Sequence, residues 1–458
     1  MILDVRTHCV RLSLIIRLAE ITLILLLVLA LLAWRDENQR KLLFGWEITE
    51  FDADTDVEAS AVDDEPPDLN APDDSCNALR GAEDVVVTVK TGASEASHKI
   101  PIQMSTNLRC APNVFIFSDM EQDIGDYHLY DALDTISRAT KEGNEDFDLY
   151  RHQQQLKAAG QDVTALHDVK DAAWSLDKYK NTHIVEKSFA LEPNKNWYLH
   201  IDADTYIVWS SLLPWLEELD ASNHLYAGSI TCFGTGTAAH GGSGILLSGA
   251  TMHLFAFEHN DTAASWDPKV HDNCCGDSIL GQALNAYGIN VTNAWPIFDG
   301  FTPATVPFGA DHWCQPLVTL HHMSPFEMEE MHSFEERRLN GNNPLLYSEL
   351  YKDLVAEMIP DSRKGWDSMP IGETISDIGS AKACEKACRN NPQCFQTSYD
   401  GDNCILGTDS FRLGENRTTD GKRWQSSWNK TRISEWIAAQ YPCGEAKFGF
   451  RYDRACTG

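Results

Sequence analysis

From residue 84 onward the chain alternates short, unbroken apolar runs with longer stretches whose apolar residues recur at helical spacing. Val85-Val86-Val87-Thr88-Val89 is β-branched throughout and is broken by Lys90-Thr91-Gly92, so it predicts a short buried strand. Val114-Phe115-Ile116-Phe117 predicts a second strand, ending in Ser118-Asp119. Trp174, Leu176, Tyr179, Ile184, Val185 and Phe189 have the spacing of an amphipathic helix over 172–191, stopped near Pro193. Residues 197–201 predict a third strand, which runs into Asp202-Ala203-Asp204 before Tyr206-Ile207-Val208 resumes the apolar pattern. Strands alternating with helices imply an α/β domain with a largely parallel sheet. In such sheets ligands bind beyond the carboxyl ends of the strands. Three predicted strand ends carry polar residues there: Lys90-Thr91, Asp119, and Asp202 with Asp204.

The flanks have a different texture. Residues 21–34 are cleanly apolar but short of the roughly 20 residues a bilayer span needs. Extending to residues 12–34 reaches that length and takes in Arg17 and Glu20, spaced to pair or to snorkel. No small-x-small cleavage site follows, so the segment reads as an uncleaved signal anchor behind a tail of residues 1–11; a cleaved signal peptide is the alternative. Residues 35–82 are acidic, proline-containing and poor in aromatics after Trp46, the composition of an extended stem. Beyond the domain at 83–330, residues 331–365 predict a helical linker. Residues 366–410 form a cysteine-bearing module, and 411–458 a closing helix (over 424–441) and tail, with Cys443 and Cys456 as a candidate pair.

Composition adds a compartment and removes a partner. At 458 residues the chain exceeds one average domain. Its formal charge of −31, from 68 carboxylates against 37 Lys and Arg, excludes nonspecific nucleic-acid binding. Thirteen cysteines fall mostly in the C-terminal half without a CxxC or finger pattern, which favours disulfides in an oxidising compartment over zinc. Glycosylation sequons at Asn260, Asn290, Asn416 and Asn429 point the same way. With the anchor, they predict a single-pass type II protein of the Golgi or another secretory-pathway membrane, with its body in the lumen.

Four groups of residues could carry chemistry. Asp202 and Asp204, two apart, project to one side of an extended chain, and their oxygens suit Mg²⁺ or Mn²⁺. A surface turn is the bland alternative, but acids directly after an apolar strand favour the cation, which would neutralise charge on a leaving diphosphate. His240-Gly241-Gly242-Ser243-Gly244 is either a sugar-lining backbone or a flexible loop. Asp277 is either a first-turn acid favoured by its helix dipole or a general base. His321-His322, after Leu317-Val318-Thr319-Leu320, is either a surface pair or the source of another metal ligand.

The ordered set Val87-Thr88-Val89-Lys90-Thr91-Gly92, Phe115-Ile116-Phe117-Ser118-Asp119, Trp197 through Tyr206, Gly241-Gly242-Ser243-Gly244 and Asp277-x-x-x-Gly281 resembles the fringe and core 1 β1,3-galactosyltransferase branch of glycosyltransferase family 31. Trp174-Ser175-Leu176-Asp177-Lys178-Tyr179-Lys180 resembles its fungal members in particular. The resemblance spans residues 84–330 and implies a GT-A (Rossmann-like) fold. It also implies inverting, Mn²⁺- or Mg²⁺-dependent transfer of a hexose or N-acetylhexosamine, in β1,3 linkage, from a UDP-sugar to a glycan or glycoprotein.

By that resemblance Asp204 ligates the metal directly, Asp202 acts beside it or through water, and His321 or His322 supplies the remaining ligand. Lys90, Thr91 and Asp119, with Asp202 and Ala203, line the nucleotide-sugar pocket. Gly241, Gly242, Ser243 and Gly244 line the sugar and acceptor pocket, and Asp277 is the base. Two positions depart from the family pattern: Ala203 replaces the middle acid of a three-acid run, and Gly276 replaces an often acidic residue before the base. Cys384-x3-Cys388-x5-Cys394-x9-Cys404, after Trp366-Asp367-Ser368-Met369-Pro370, resembles a PAN/apple module of α+β type. That resemblance implies the pairs Cys384–Cys404 and Cys388–Cys394. The rival from another class is a catalytically inactive, lectin-like protein of the same fold; a phosphatase or nuclease lacks further carboxylate clusters.

Overall fold

The β-branched run forms β1 (Val85–Lys90), and its neighbours in space are β2 (Val114–Ser118) and β5 (Trp197–Asp202), both parallel to it. Successive residues of a strand point to opposite faces. Val85, Val87 and Val89 accordingly join one core cluster with Leu199 and Ile201, while Val86 joins another with Tyr198, Val185 and Leu280. Cover on both faces is the reason these strands read as continuous apolar runs.

The computed structural model describes residues 81–451 apart from 167–168, 235 and 339–342, together with Cys76 and Leu79. The expected cytoplasmic tail, the signal anchor, most of the stem and Cys456 lie outside the described residues. Among the described residues no helix is long and apolar enough to cross a membrane.

The other described strands as far as residue 293 are β3 (Gln122–Ile124), β4 (Tyr127–Asp131), β6 (Tyr206–Ile207), β7 (Tyr226–Gly228), β8 (Ile230–Phe233), β9 (Gly236–Ala239), β10 (Ile245–Ser248) and β11 (Thr292–Asn293). An eight-stranded sheet runs in the order β11-β7-β10-β5-β1-β2-β4-β3, with β10 antiparallel to β5 and β7, and β3 antiparallel to β4. Parallel pairs hold its centre, giving a mixed α/β architecture.

The helix expected over 172–191 is two helices, α2 (Lys170–Asp177) and α3 (Lys180–Leu191); α1 (Ala96–Ser105) precedes them. The break falls where Lys178 reaches back to Asp146 Oδ2 at 2.9 Å and donates to the His271 carbonyl at 3.0 Å.

At the C-terminal end a five-stranded antiparallel sheet runs Ser362–Lys364, Gln425–Trp428, Gln396–Tyr399, Cys404–Gly407, Thr374–Ile375. It therefore reaches beyond residues 366–410 on both sides. The helix Ala381–Asn390 covers it, with Cys384 bonded to Cys404 and Cys388 to Cys394. The closing helix expected over 424–441 is shorter, Lys430–Ala439, because Gln425–Trp428 is taken into the sheet and Asn429 caps the helix by accepting from the Arg432 N–H. Cys443 bonds Cys314 and not Cys456, tying the tail to the turn between Gly309 and Thr319. Phe308–Gly309 pairs with Ser410–Phe411, and Phe308, Trp313, Phe395, Phe411, Trp428 and Ile433 share one core. The described residues all fall in one compact unit.

Candidate active site

The site is assembled at the carboxyl ends of β1 and β5, where register pairs Lys90 with Asp202 and the Ala203 N–H donates to the Lys90 carbonyl at 2.9 Å. Ala203 itself turns into the apolar core, 2% exposed, so an acid at that position would bury an unpaired charge. Gln103 of α1 fixes the turn by donating to the carbonyls of Ala203 and Thr205. Strand Thr319–Leu320 pairs antiparallel with β6, and the Met323 N–H donates to the Asp204 carbonyl. This pairing carries His321-His322 back to the acidic turn across more than a hundred residues of chain.

Asp204, His321 and His322 come together with potential ligand atoms all within 4.8 Å of one another. His321 Nε2 lies 3.2 Å from Asp204 Oδ1 and 3.9 Å from Asp202 Oδ2. Nδ1 of His321 is buried without a hydrogen-bond partner. One carboxylate and two imidazoles form a mixed oxygen and nitrogen donor set that fits a divalent cation. Burial pushes the Asp204 carboxyl up, but His321 and Lys99 outweigh it and hold its pKa well below the ordinary value. Lys99 approaches Asp204 Oδ2 at 3.2 Å.

Asp202 faces a different partner. Its Oδ1 is 3.3 Å from Lys90 Nζ, which is also 2.5 Å from Asp177 Oδ2. Lys180, fully inside the protein, bridges Asp177 at 3.1 Å and Asp119 at 3.7 Å and donates to the Thr91 carbonyl. Burial opposes both charges of the Lys90–Asp177 pair, yet their mutual attraction raises the Lys90 pKa well above its usual value and lowers Asp177 to about 2.

Asp277 is in the first turn of α4 (Gly276–Ala286), yet its carboxylate is turned toward other elements: Oδ1 accepts from Asn181 Nδ2 and Oδ2 from the Gly241 N–H, both at 2.8 Å. Burial raises its pKa against the pull of Lys90 and the Gly241 N–H. Glycine is required on both sides of this contact. A Cβ on Gly241 would sit 2.5 Å from Asp277 Oδ1, and one on Gly242 would sit 2.1 Å from the His321 ring. Gly281, one turn along α4, lets the helix approach β9, where a Cβ would lie 2.6 Å from that of Ala238. Gly276 has Asn181 and the Lys178 carbonyl 3.0 Å from its Cβ position, leaving no room for the acid often found there.

These groups open on one cavity of about 990 Å³, in the size range of small-molecule sites. Lys90, Asp202, Ala203, Asp204, Gly242, Asp277, His321 and His322 line it. The structure does not bring all the expected residues to its wall. Thr91 and Asp119 are buried behind it, with Asp119 bonded to the Ala93 N–H and to Gln153 Nε2. Gly241 backs Asp277, while Ser243 and Gly244 pack inward, Ser243 with His240 and Gly244 beside Leu199 and Phe298. Sequence reasoning missed Lys99, Asp177, Lys180 and Asn181; the i, i+3 pairing of Asp177 with Lys180 was the available signal. Of the sequons, Asn260, Asn290 and Asn416 are exposed, whereas Asn429 is half-buried with its side chain engaged as the helix cap.

The parallel-rich sheet with an acidic turn at a strand end fits a glycosyltransferase domain of GT-A type. Residues 81–293 match the family described as Fringe-like, a match that covers the sheet to β11 and ends short of His321 and His322. No curated protein matches the chain. Among 29 matching solved chains is a glycosyltransferase involved in the glycosylation of the major capsid of PBCV-1, 10% identical, with a TM-score of 0.23, covering 54% of this chain and 99% of that one. So loose a likeness carries no argument about the site.

Proposed function

We propose that the chain transfers one hexose or N-acetylhexosamine from a UDP-sugar to a glycan or glycoprotein hydroxyl, with inversion and in β1,3 linkage. The observation that carries this is the convergence of Asp204, His321, His322 and Asp277 on one cavity, within a region that matches the Fringe-like family. Asp204, His321 and His322 would hold Mn²⁺ or Mg²⁺, whose charge offsets that developing on the departing diphosphate. Asp277 takes the proton of the acceptor hydroxyl as its oxygen bonds to the anomeric carbon. The bond from that carbon to the phosphate oxygen breaks, and UDP leaves with the electron pair. Asn181 and the Gly241 N–H orient the Asp277 carboxylate for this transfer.

The C-terminal sheet, helix and paired disulfides support reading that region as a PAN/apple-like module of fungal-type members. Its shared core with the catalytic region supports a structural role for it. Five disulfides among the described residues and three exposed sequons support work in the secretory lumen, with the Golgi membrane the expected site. A panel of UDP-sugars, scored by UDP release with and without Mn²⁺, tests the function. Metal-dependent release from one donor supports it; no release from any donor sinks it.

A further inference from the structure

His321 has a second backbone support besides the pairing of Thr319–Leu320 with β6. Residues 297–301 run beside it in parallel. The Ile297 carbonyl accepts from the Val318 N–H at 2.8 Å, the Asp299 N–H donates to the Thr319 carbonyl at 3.2 Å, and the Phe301 carbonyl accepts from the His321 N–H at 3.0 Å. Gly300 packs behind the loop 240–244, where a Cβ would come 3.2 Å from Ser243 Oγ. Asp299, wholly buried, sets the turn. Its Oδ1 accepts from the Phe301 N–H at 3.1 Å and its Oδ2 from Tyr347 Oη at 2.8 Å, with His312 Nε2 3.6 Å from that second oxygen.

The other side of this turn meets the C-terminal module. The Gly414 N–H donates to the Ala304 carbonyl at 2.8 Å, and the Arg412 guanidinium lies 5.3 Å from the centre of the Phe301 ring. The backbone of Arg412 is fixed within the module, its N–H to Gln396 Oε1 and its carbonyl to Trp428 Nε1, both at 2.8 Å. Its side chain is 3% exposed, and Nε has no hydrogen-bond partner. Burial lowers its pKa to about 10, against the pull of Asp299 and Asp367. A buried guanidinium with an unmade hydrogen bond is a poor source of stability, and an apolar side chain of similar size would avoid the desolvation. Of the two acids, Asp367 belongs to the module and Asp299 to the turn behind His321, so the cation links the two. We infer that Arg412 is a positioning residue for His321, acting through Asp299 and the Phe301 carbonyl, which makes the C-terminal module a part of the metal site. The inference rests on the metal-dependent reading above and adds to it a residue outside the cavity on which metal affinity depends.

The test measures Mn²⁺ affinity of the full chain in the presence of UDP, by electron paramagnetic resonance, and the Mn²⁺ dependence of UDP release. Arg412→Met, which keeps an unbranched side chain and removes its charge, should weaken Mn²⁺ binding about tenfold. It should raise the Mn²⁺ concentration for half-maximal release by the same factor and leave kcat at saturating Mn²⁺ little changed. Arg412→Lys should recover most of the affinity. Cys384→Ser, which opens the separate cysteine core of the same module, should lower the unfolding midpoint and leave Mn²⁺ affinity unchanged. If Arg412→Met does not fold, Asp299→Asn takes its place, since it removes the charge and keeps an acceptor for the Phe301 N–H. Wild-type Mn²⁺ affinity in the folded variant, or an equal loss in Cys384→Ser, overturns the inference and leaves the metal reading intact. A wild-type chain that binds no Mn²⁺ removes both.

Discussion

Two regions rich in polar side chains, the C-terminal module and the cavity, arrange them differently. In the C-terminal module most close on one another, Arg412 Nε and Arg417 Nε being the buried exceptions. Gln396 Nε2 donates to the Ser368 carbonyl and its Oε1 accepts from the Arg412 N–H, both at 2.8 Å. Ser426 Oγ receives the Ser368 N–H and donates to the Trp366 carbonyl, and Thr397 Oγ1 meets Ser427 Oγ at 2.7 Å. Around the cavity the pattern is charged and incomplete: half-buried Asp204 and Asp277, buried His321 and exposed His322 face open volume, and His321 Nδ1 has no partner. A satisfied polar network fixes a fold; buried titratable groups left facing a cavity mark a place kept for a ligand.

The contrast can be broken from either side. Asp277→Asn keeps the shape but removes the proposed proton acceptor, and should lower kcat about 10²- to 10⁴-fold in steady-state assays. Because burial raises the Asp277 pKa, the ionised base should be lost, as pH falls, at a higher pH than for an ordinary carboxylate. The acid limb of the wild-type pH profile should show this, and an asparagine variant that retains both rate and limb would remove Asp277 from the reaction.

In the module, Cys384→Ser opens a loop of 20 residues and should cost about 2–4 kcal/mol in chemical denaturation, a loss the cavity variants should not share. Gly242→Ala forces a methyl group onto the His321 ring and should lower Mn²⁺-supported UDP release by about tenfold or more while the chain remains folded by circular dichroism.

The smallest effect concerns Glu335, which accepts from Tyr206 Oη at 2.6 Å and whose pKa burial pushes up to about 7. A carboxyl raised in the folded state favours the fold below its unfolded pKa, and that contribution is lost as pH rises through about 7. Glu335→Gln should therefore be relatively more stable at pH 8.5 than at pH 5, by about 1 kcal/mol after allowance for partial exposure. Equal denaturation midpoints at both values would refute it.

The central sheet was legible because strands covered on both faces leave unbroken apolar runs, as in Val85-Val86-Val87 and Trp197 through Ile201. The same rule says nothing about Gln425–Trp428, whose Gln-Ser-Ser-Trp sequence pairs with strands on both sides, with one hydroxyl pair and no apolar stripe. The break between α2 and α3 was hidden because Tyr179 keeps the apolar spacing going while Lys178 reaches off it to Asp146. Cys314 and Cys443 are 129 residues apart, a separation on which local spacing is silent. At the site, the ends of β1 and β5 could be read from sequence, but not which way each side chain turns. Thr91 and Asp119 follow strands just as Asp202 does, yet both are consumed by internal contacts. The union of Asp204 with His321 and His322 depends on the pairing of β6 with Thr319–Leu320, a contact between distant segments.

That union is the centre of the account, and Mn²⁺ binding in the presence of UDP, followed by electron paramagnetic resonance, tests it most directly. The expected result is one tightly bound Mn²⁺ per wild-type chain, lost in Asp204→Ala and weakened in His321→Ala, with both variants folded by circular dichroism. Undiminished Mn²⁺ binding in Asp204→Ala would contradict the account.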